Sequence, residues 1–232
     1  MSLTAALLLL VSVWSVLLGS SLAAPRLGVE LATFGGCALA TGLVLGTARR
    51  VPGPPGCWGR RIGLLLLGAL AGIASYPGWI AGLECVYGAA ELAPVPPFVQ
   101  ATPVNLVAAV ALAPLFEELL YRERLLGALR RRVGGFGAVG LCSGLFALGH
   151  PEPRAHLATW LVGLGLGGLR VGSCSVVPCI GLHAGLNLAA WLALSAGWWS
   201  PLGPGLAVAA VAAGVCLRLG RTEARGREAS RR

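Results

Sequence analysis

Five ionisable residues that could carry chemistry stand in apolar sequence, Glu117, Glu118, Arg122, His150 and His183, with the amide of Asn187 one helical turn beyond the last. An ionisable group at bilayer depth is costly and asks for a reason. Glu118 and Arg122 are four apart, so on a helix they share a face, with the acid before the base, the favourable order for such a pair. Glu118 is therefore expected to be ionised and neutralised by Arg122. Glu117 is turned away by about 100° of helix and has no evident partner on its own helix. A carboxyl without a counter-charge, in an environment that excludes water, suits a general base. The bland alternative is a structural ion pair with a spare glutamate beside it.

The elements around these residues bring them to one level. Apolar spans on either side of Gly134 and Gly135 read as an antiparallel helical hairpin. Glu117 lies 17 residues before Gly134, and His150 lies 15 after Gly135. With equal rise per residue the two sit at similar depth. Counted from outer ends, Glu117 is 14 residues past Pro103 and His183 is 14 before Gly197. His183 and Asn187, four apart, share a face and can point into the same cavity. The spacing does not decide which histidine partners Glu117.

The whole chain fits a membrane setting. Of 232 residues, 56% are hydrophobic and 12% charged, against about a quarter charged in soluble domains. Apolar runs of membrane-spanning length, about 20 residues, recur throughout. The expected fold is all-α, a polytopic membrane bundle of about eight transmembrane helices, at roughly 3–24, 28–48, 62–82, 102–125, 134–150, 155–170, 175–196 and 202–219. Residues 1–219 read as one membrane-embedded domain and 220–232 as a basic tail. Every basic residue is Arg and every acidic one Glu, which excludes a mechanism built on paired aspartates. The net charge of +9 comes from Arg clusters beside apolar spans, which fits anionic headgroups and orientation rather than nucleic acid. With eight spans, Arg49, Arg50, Arg60, Arg61, Arg122, Arg124, Arg130, Arg131, Arg132, Arg170 and the C-terminal arginines fall on one side. Only Arg26 and Arg154 fall opposite. The positive-inside rule then puts both termini in the cytoplasm and the 83–101 loop outside. The first span has small residues at Ser21-Leu22-Ala23 that could suit signal cleavage. It lacks a positive n-region, so a retained helix is expected. The seven cysteines form no CxxC pair and read as small packing residues, neither a disulfide framework nor a zinc site. Gly163, Gly165, Gly167 and Gly168 form a small-residue stripe suited to close helix packing.

In order along the chain, Glu117-Glu118-x-x-x-Arg122, Phe146-x-x-x-His150 and His183-x-x-x-Asn187 resemble the motifs of the CPBP family. That family includes the CAAX prenyl endopeptidases and the bacteriocin-processing or immunity (Abi-like) proteins. The resemblance spans about 117–187. It implies a glutamate-dependent intramembrane endopeptidase of the bacterial inner membrane, metal-free, acting on a membrane-associated protein or peptide. By the same resemblance, Glu117 and His150 activate water, His183 and Asn187 stabilise the oxyanion, and Glu118 and Arg122 hold the geometry. Some bacterial relatives are thought to trim C-terminal sorting tails, which a site opening outward would suit. One departure is that Glu123 and Arg124 follow Arg122 where the family often has a glycine.

Other readings use the same residues. Glu117, His150 and His183 could ligate zinc as a three-ligand open site, although no His-Glu-x-x-His helix exists. A serine peptidase pairing Ser143 with His183 lacks its Gly-x-Ser-Gly signature, because Leu141 stands where the first glycine belongs. A non-catalytic immunity or transport protein could use buried Glu and His to bind a partner or relay protons. Substrate, cleavage position and oligomeric state have no signal in the sequence.

Overall fold

The computed structural model describes residues 1–47, 58–87, 102–150, 153–173 and 175–196. Every regular element among them is helical. Helix α1 (Leu3–Leu27) starts at Ser2, whose side chain accepts from the Ala5 N–H, satisfying one of the orphan donors of a first turn. Helix α2 (Val29–Gly46) follows after a single residue, Gly28, at φ +83°. A side chain would be strained there, so glycine permits the reversal without a loop. Helix α3 is Trp58–Tyr87.

Thr102 caps the next helix by accepting from the Asn105 N–H, and Pro103 occupies the first turn, where its missing N–H costs nothing. From there an unbroken helix, α4 (residues 103–133), alternates α and π hydrogen bonding. Its π segments are Ala108–Leu112 and Glu118–Leu125. Gly134, at φ +75°, turns the chain, and α5 (residues 135–148) returns antiparallel to α4. The expected hairpin about Gly134 is present. After the short 3-10 turn Pro153–Ala155 come α6 (His156–Ser173) and α7 (Val177–Ala196).

Among the described residues, three helical stretches are long and apolar enough to cross a bilayer: Leu3–Ala24, Gly59–Gly78 and the 46-residue Pro103–Leu148, which Gly134 folds into two arms. Leu31–Gly46 and Val177–Ala193 are apolar but shorter. Seven of the eight anticipated spans correspond to helices, while 202–219 lies outside the described residues, as does the 220–232 tail.

The helices pair as α1 with α2, α3 with α7, and α5 with α6. The α3–α7 pair is a backbone-to-backbone contact. A Cβ on Gly68 would lie 2.5 Å from the Pro178 carbonyl oxygen, and one on Gly181 or Gly185 would overlap the carbonyls of Leu65 or Ala69. Gly68-x-x-x-Gly72 and Gly181-x-x-x-Gly185 thus interlock, the membrane solution for close approach. Half of the anticipated stripe on α6 behaves this way. Cβ atoms on Gly163 and Gly167 would each come within 2.9 Å of α5, at Ser143 and Val139, while Gly165 and Gly168 face open space.

One end of the molecule collects arginines. Arg131 donates to the Met1 carbonyl, Arg124 donates to the Val44 and Thr47 carbonyls at the end of α2, and Arg170 pairs with Glu123 at 2.9 Å. Glu123 and Arg124, the departure from the family pattern, thus tie α4 to α6 and α2. Cys37, Cys142 and Cys179 are buried, as packing residues should be.

Candidate active site

The π segments of α4 set the site's frame. In the first, the Ala113 N–H reaches the Ala108 carbonyl, five residues back. By the same register the Ala109 carbonyl would need the N–H of residue 114, which is Pro114 and has none. Asn187 of α7 supplies the missing donor, its Nδ2 lying 2.7 Å from the Ala109 oxygen. In the second segment the Tyr121 carbonyl accepts both the Leu126 N–H and the Cys142 thiol, the latter at 3.2 Å. Backbone groups loosened by π geometry are thus satisfied by neighbouring helices, as an apolar solvent demands. Single π turns of this kind occur often at functional sites.

Glu118 and Arg122 form the expected pair, with Arg122 Nη1 3.1 Å from Glu118 Oε1 and exposures of 0% and 1%. The guanidinium also lies over the Phe146 ring, 4.3 Å from its centroid, a cation–π contact. His183 joins them, with Nδ1 2.9 Å from Glu118 Oε1. Because that oxygen is a carboxylate acceptor held by Arg122, Nδ1 is the donating nitrogen. His183 Nε2 then faces Glu117 Oε2 at 3.7 Å, too far for a hydrogen bond. That Glu117 oxygen is buried and makes no hydrogen bond among the described residues.

His150 closes the opposite side. Its Nδ1 lies 2.9 Å from the Phe146 carbonyl. A carbonyl only accepts, so Nδ1 carries a proton and Nε2 of the neutral ring is left with a lone pair. The ring stacks edge-on against Phe146, which likewise contacts His183 and Tyr121. His156 Nε2 reaches the His150 carbonyl at 2.9 Å. His156 had no evident partner in the sequence, yet it braces the backbone that carries His150.

Glu117 and His150 line one cavity with Val13, Trp14, Leu17, Tyr121 and Gly149. About 20 Å³ of it is open to the centre of a water-sized sphere, where one water needs about 10–15 Å³. Five of the six motif residues thus form two connected groups. Glu117 and His150 face the cavity, while Glu118, Arg122 and His183 make a sealed cluster behind it. Asn187 is engaged with α4's backbone. Sequence reasoning passed over Trp14 and Tyr121. Tyr121 carried a signal, four residues after Glu117 and so on its face; Trp14, on a distant helix, carried none. Among the described residues no three His, Cys or Glu side chains converge as metal ligands would.

No curated protein and no solved structure matches the chain. Residues 99–189, which hold the whole of the three-motif constellation, match the family model described as type II CAAX prenyl endopeptidase, Rce1-like, in line with the family its motifs resemble.

Proposed function

We propose that the chain is an intramembrane endopeptidase that hydrolyses a membrane-associated protein or peptide with water activated by Glu117 and His150. The observation that carries this reading is the shared cavity. Glu117, whose Oε2 makes no hydrogen bond among the described residues, and His150, whose Nδ1 is taken by the Phe146 carbonyl, both line a space with room for one water. Glu117 accepts the proton as the water oxygen attacks the scissile carbonyl, and the same proton passes to the leaving amine as the C–N bond breaks. His150 Nε2 orients the attacking water. His183, with Nδ1 on Glu118, presents Nε2 to Glu117 from behind the cavity. Arg122 holds Glu118, and Glu118 holds His183 in that orientation.

The reaction is read as metal-free and the domain as residues 1–219, in a bacterial inner membrane with both termini cytoplasmic. The arginine-rich end supports that orientation. Trp14 lies 13 residues from Met1 and Glu117 lies 14 from Arg131, so the cavity is about 20 Å from that end at 1.5 Å per residue. In a hydrocarbon core about 30 Å thick this favours access from the outer half, as trimming of exported C-terminal tails would require.

The test compares membrane proteomes of strains carrying the wild-type chain, Glu117→Ala or a deletion. The expected result is the same proteins retaining a C-terminal or N-terminal extension in both altered strains. Normal processing with folded Glu117→Ala overturns the reading and leaves a partner-binding or transport role. Loss of cleavage on chelation, restored by zinc, transfers the chemistry to a metal site.

A further inference from the structure

Acyl chemistry draws much of its rate from donors aimed at the developing oxyanion, and the two residues the motifs suggest for this are both engaged. Asn187 uses its Nδ2 on the Ala109 carbonyl, and His183 has Nδ1 on Glu118. Neither lines the cavity that Glu117 and His150 share, whereas Tyr121 does. Its hydroxyl oxygen accepts from Trp14 Nε1 at 2.9 Å, and no acceptor takes its own proton among the described residues. A Cβ on Gly149 would lie 2.9 Å from that hydroxyl and 3.0 Å from Trp14 Nε1. The hydroxyl therefore rests on the backbone immediately before His150. Gly149 has an ordinary φ of −71°, so what requires glycine there is the space.

We propose that the Tyr121 hydroxyl, fixed by Trp14, donates a hydrogen bond to the substrate's scissile carbonyl oxygen as it becomes the oxyanion. This rests on the endopeptidase reading above. No bond to Tyr121 forms: its proton stays on the phenol oxygen, while the water's proton goes to Glu117. Tyr121 is then a catalytic residue and Trp14 a positioning residue. Trp14 belongs to α1, outside the matched stretch 99–189, so the first helix takes part in the chemistry.

The probe is a protein that accumulates unprocessed in the Glu117→Ala strain, purified and reconstituted with enzyme in liposomes. Tyr121→Phe keeps the ring against Phe146 and removes the donor. It should lower kcat about 100–1000-fold with KM and Tm little changed. Trp14→Phe should lower kcat by a smaller factor, and should cost nothing further in the Tyr121→Phe background, because it acts through the hydroxyl. Wild-type kcat in Tyr121→Phe overturns the proposal. So does a Trp14→Phe loss that multiplies undiminished onto that of Tyr121→Phe, which would mark α1 as packing alone. If Glu117→Ala itself cleaves normally, the endopeptidase reading fails; if it is dead while Tyr121→Phe is normal, this proposal alone fails.

Discussion

Glu118→Gln should be among the most damaging single substitutions in the molecule, and more damaging than Arg122→Leu. Glu118 is fully buried and its Oε1 is shared by Arg122 at 3.1 Å and His183 at 2.9 Å. Removing its charge strands the guanidinium, 1% exposed, with the Phe146 face as its compensation. Breaking a buried pair on one side costs about 3–5 kcal/mol. At about 2–4 °C per kcal/mol for a chain of this size, Tm should fall by about 6–20 °C. Arg122→Leu leaves Glu118 its second partner, so its loss should be smaller. The double change Glu118→Gln with Arg122→Leu removes both charges and should recover part of the stability lost by Glu118→Gln alone. The assay is a thermal-unfolding cycle of the four proteins in one detergent, with substrate cleavage measured in parallel. Additive losses would refute the coupling, and a milder Glu118→Gln than Arg122→Leu would refute the shared-acceptor geometry.

Glu117→Ala and His150→Ala should each abolish cleavage and together be little worse than either, since residues acting on one water do not give multiplying losses; single-turnover assays of folded variants check this. Asn187→Ala should cost about 1–3 kcal/mol for the unsatisfied Ala109 carbonyl, and adding Pro114→Ala, which restores an N–H, should return stability; any activity still missing from that double variant measures a direct role of Asn187 in catalysis. Gly181→Val should destabilise by about 3 kcal/mol or more, because the clash is with α3 backbone, whereas Gly165→Ala, facing open space, should stay within about 0.5 kcal/mol; unfolding midpoints compare them. With native cysteines replaced, an impermeant thiol reagent on whole cells should label Thr102→Cys and spare Phe136→Cys, and the reverse pattern would invert the proposed orientation.

What the sequence revealed follows from how local each feature is. The Glu118–Arg122 pair lies within one helix at a spacing that guarantees proximity, so it was legible. The common level of Glu117 and His150 needed just one hairpin and its glycine. The α3–α7 interlock was not legible, because Gly68 and Gly181 are far apart in sequence and each pattern alone is ordinary packing. Asn187 was read for its motif position, but its bond depends on a π register at Ala108–Leu112 that no residue pattern announces. His156, outside the three motifs, gave no sign of its role for the same reason: its partner is a backbone carbonyl, invisible to side-chain spacing. The expectation of about eight spans rests on apolar run lengths, which three described stretches meet outright. The cavity wall from α1 was out of reach, since nothing local links Trp14 to Tyr121.

The position of Arg122 also bears on how the chain enters a membrane. A lone arginine in the middle of a helix raises the cost of insertion by about 2.5–3.5 kcal/mol on translocon scales. If its counter-ion sat on α7, α4 would have to cross or wait before that helix was synthesised. Because Glu118 lies one turn before Arg122 on the same helix, the charge is neutralised as soon as α4 coils. The hairpin of α4 and α5 also brings Phe146 over the guanidinium before any later helix exists. The core of the site can therefore be delivered to the bilayer as a self-neutralised unit during biogenesis, with His183 docking onto Glu118 as a late step of assembly.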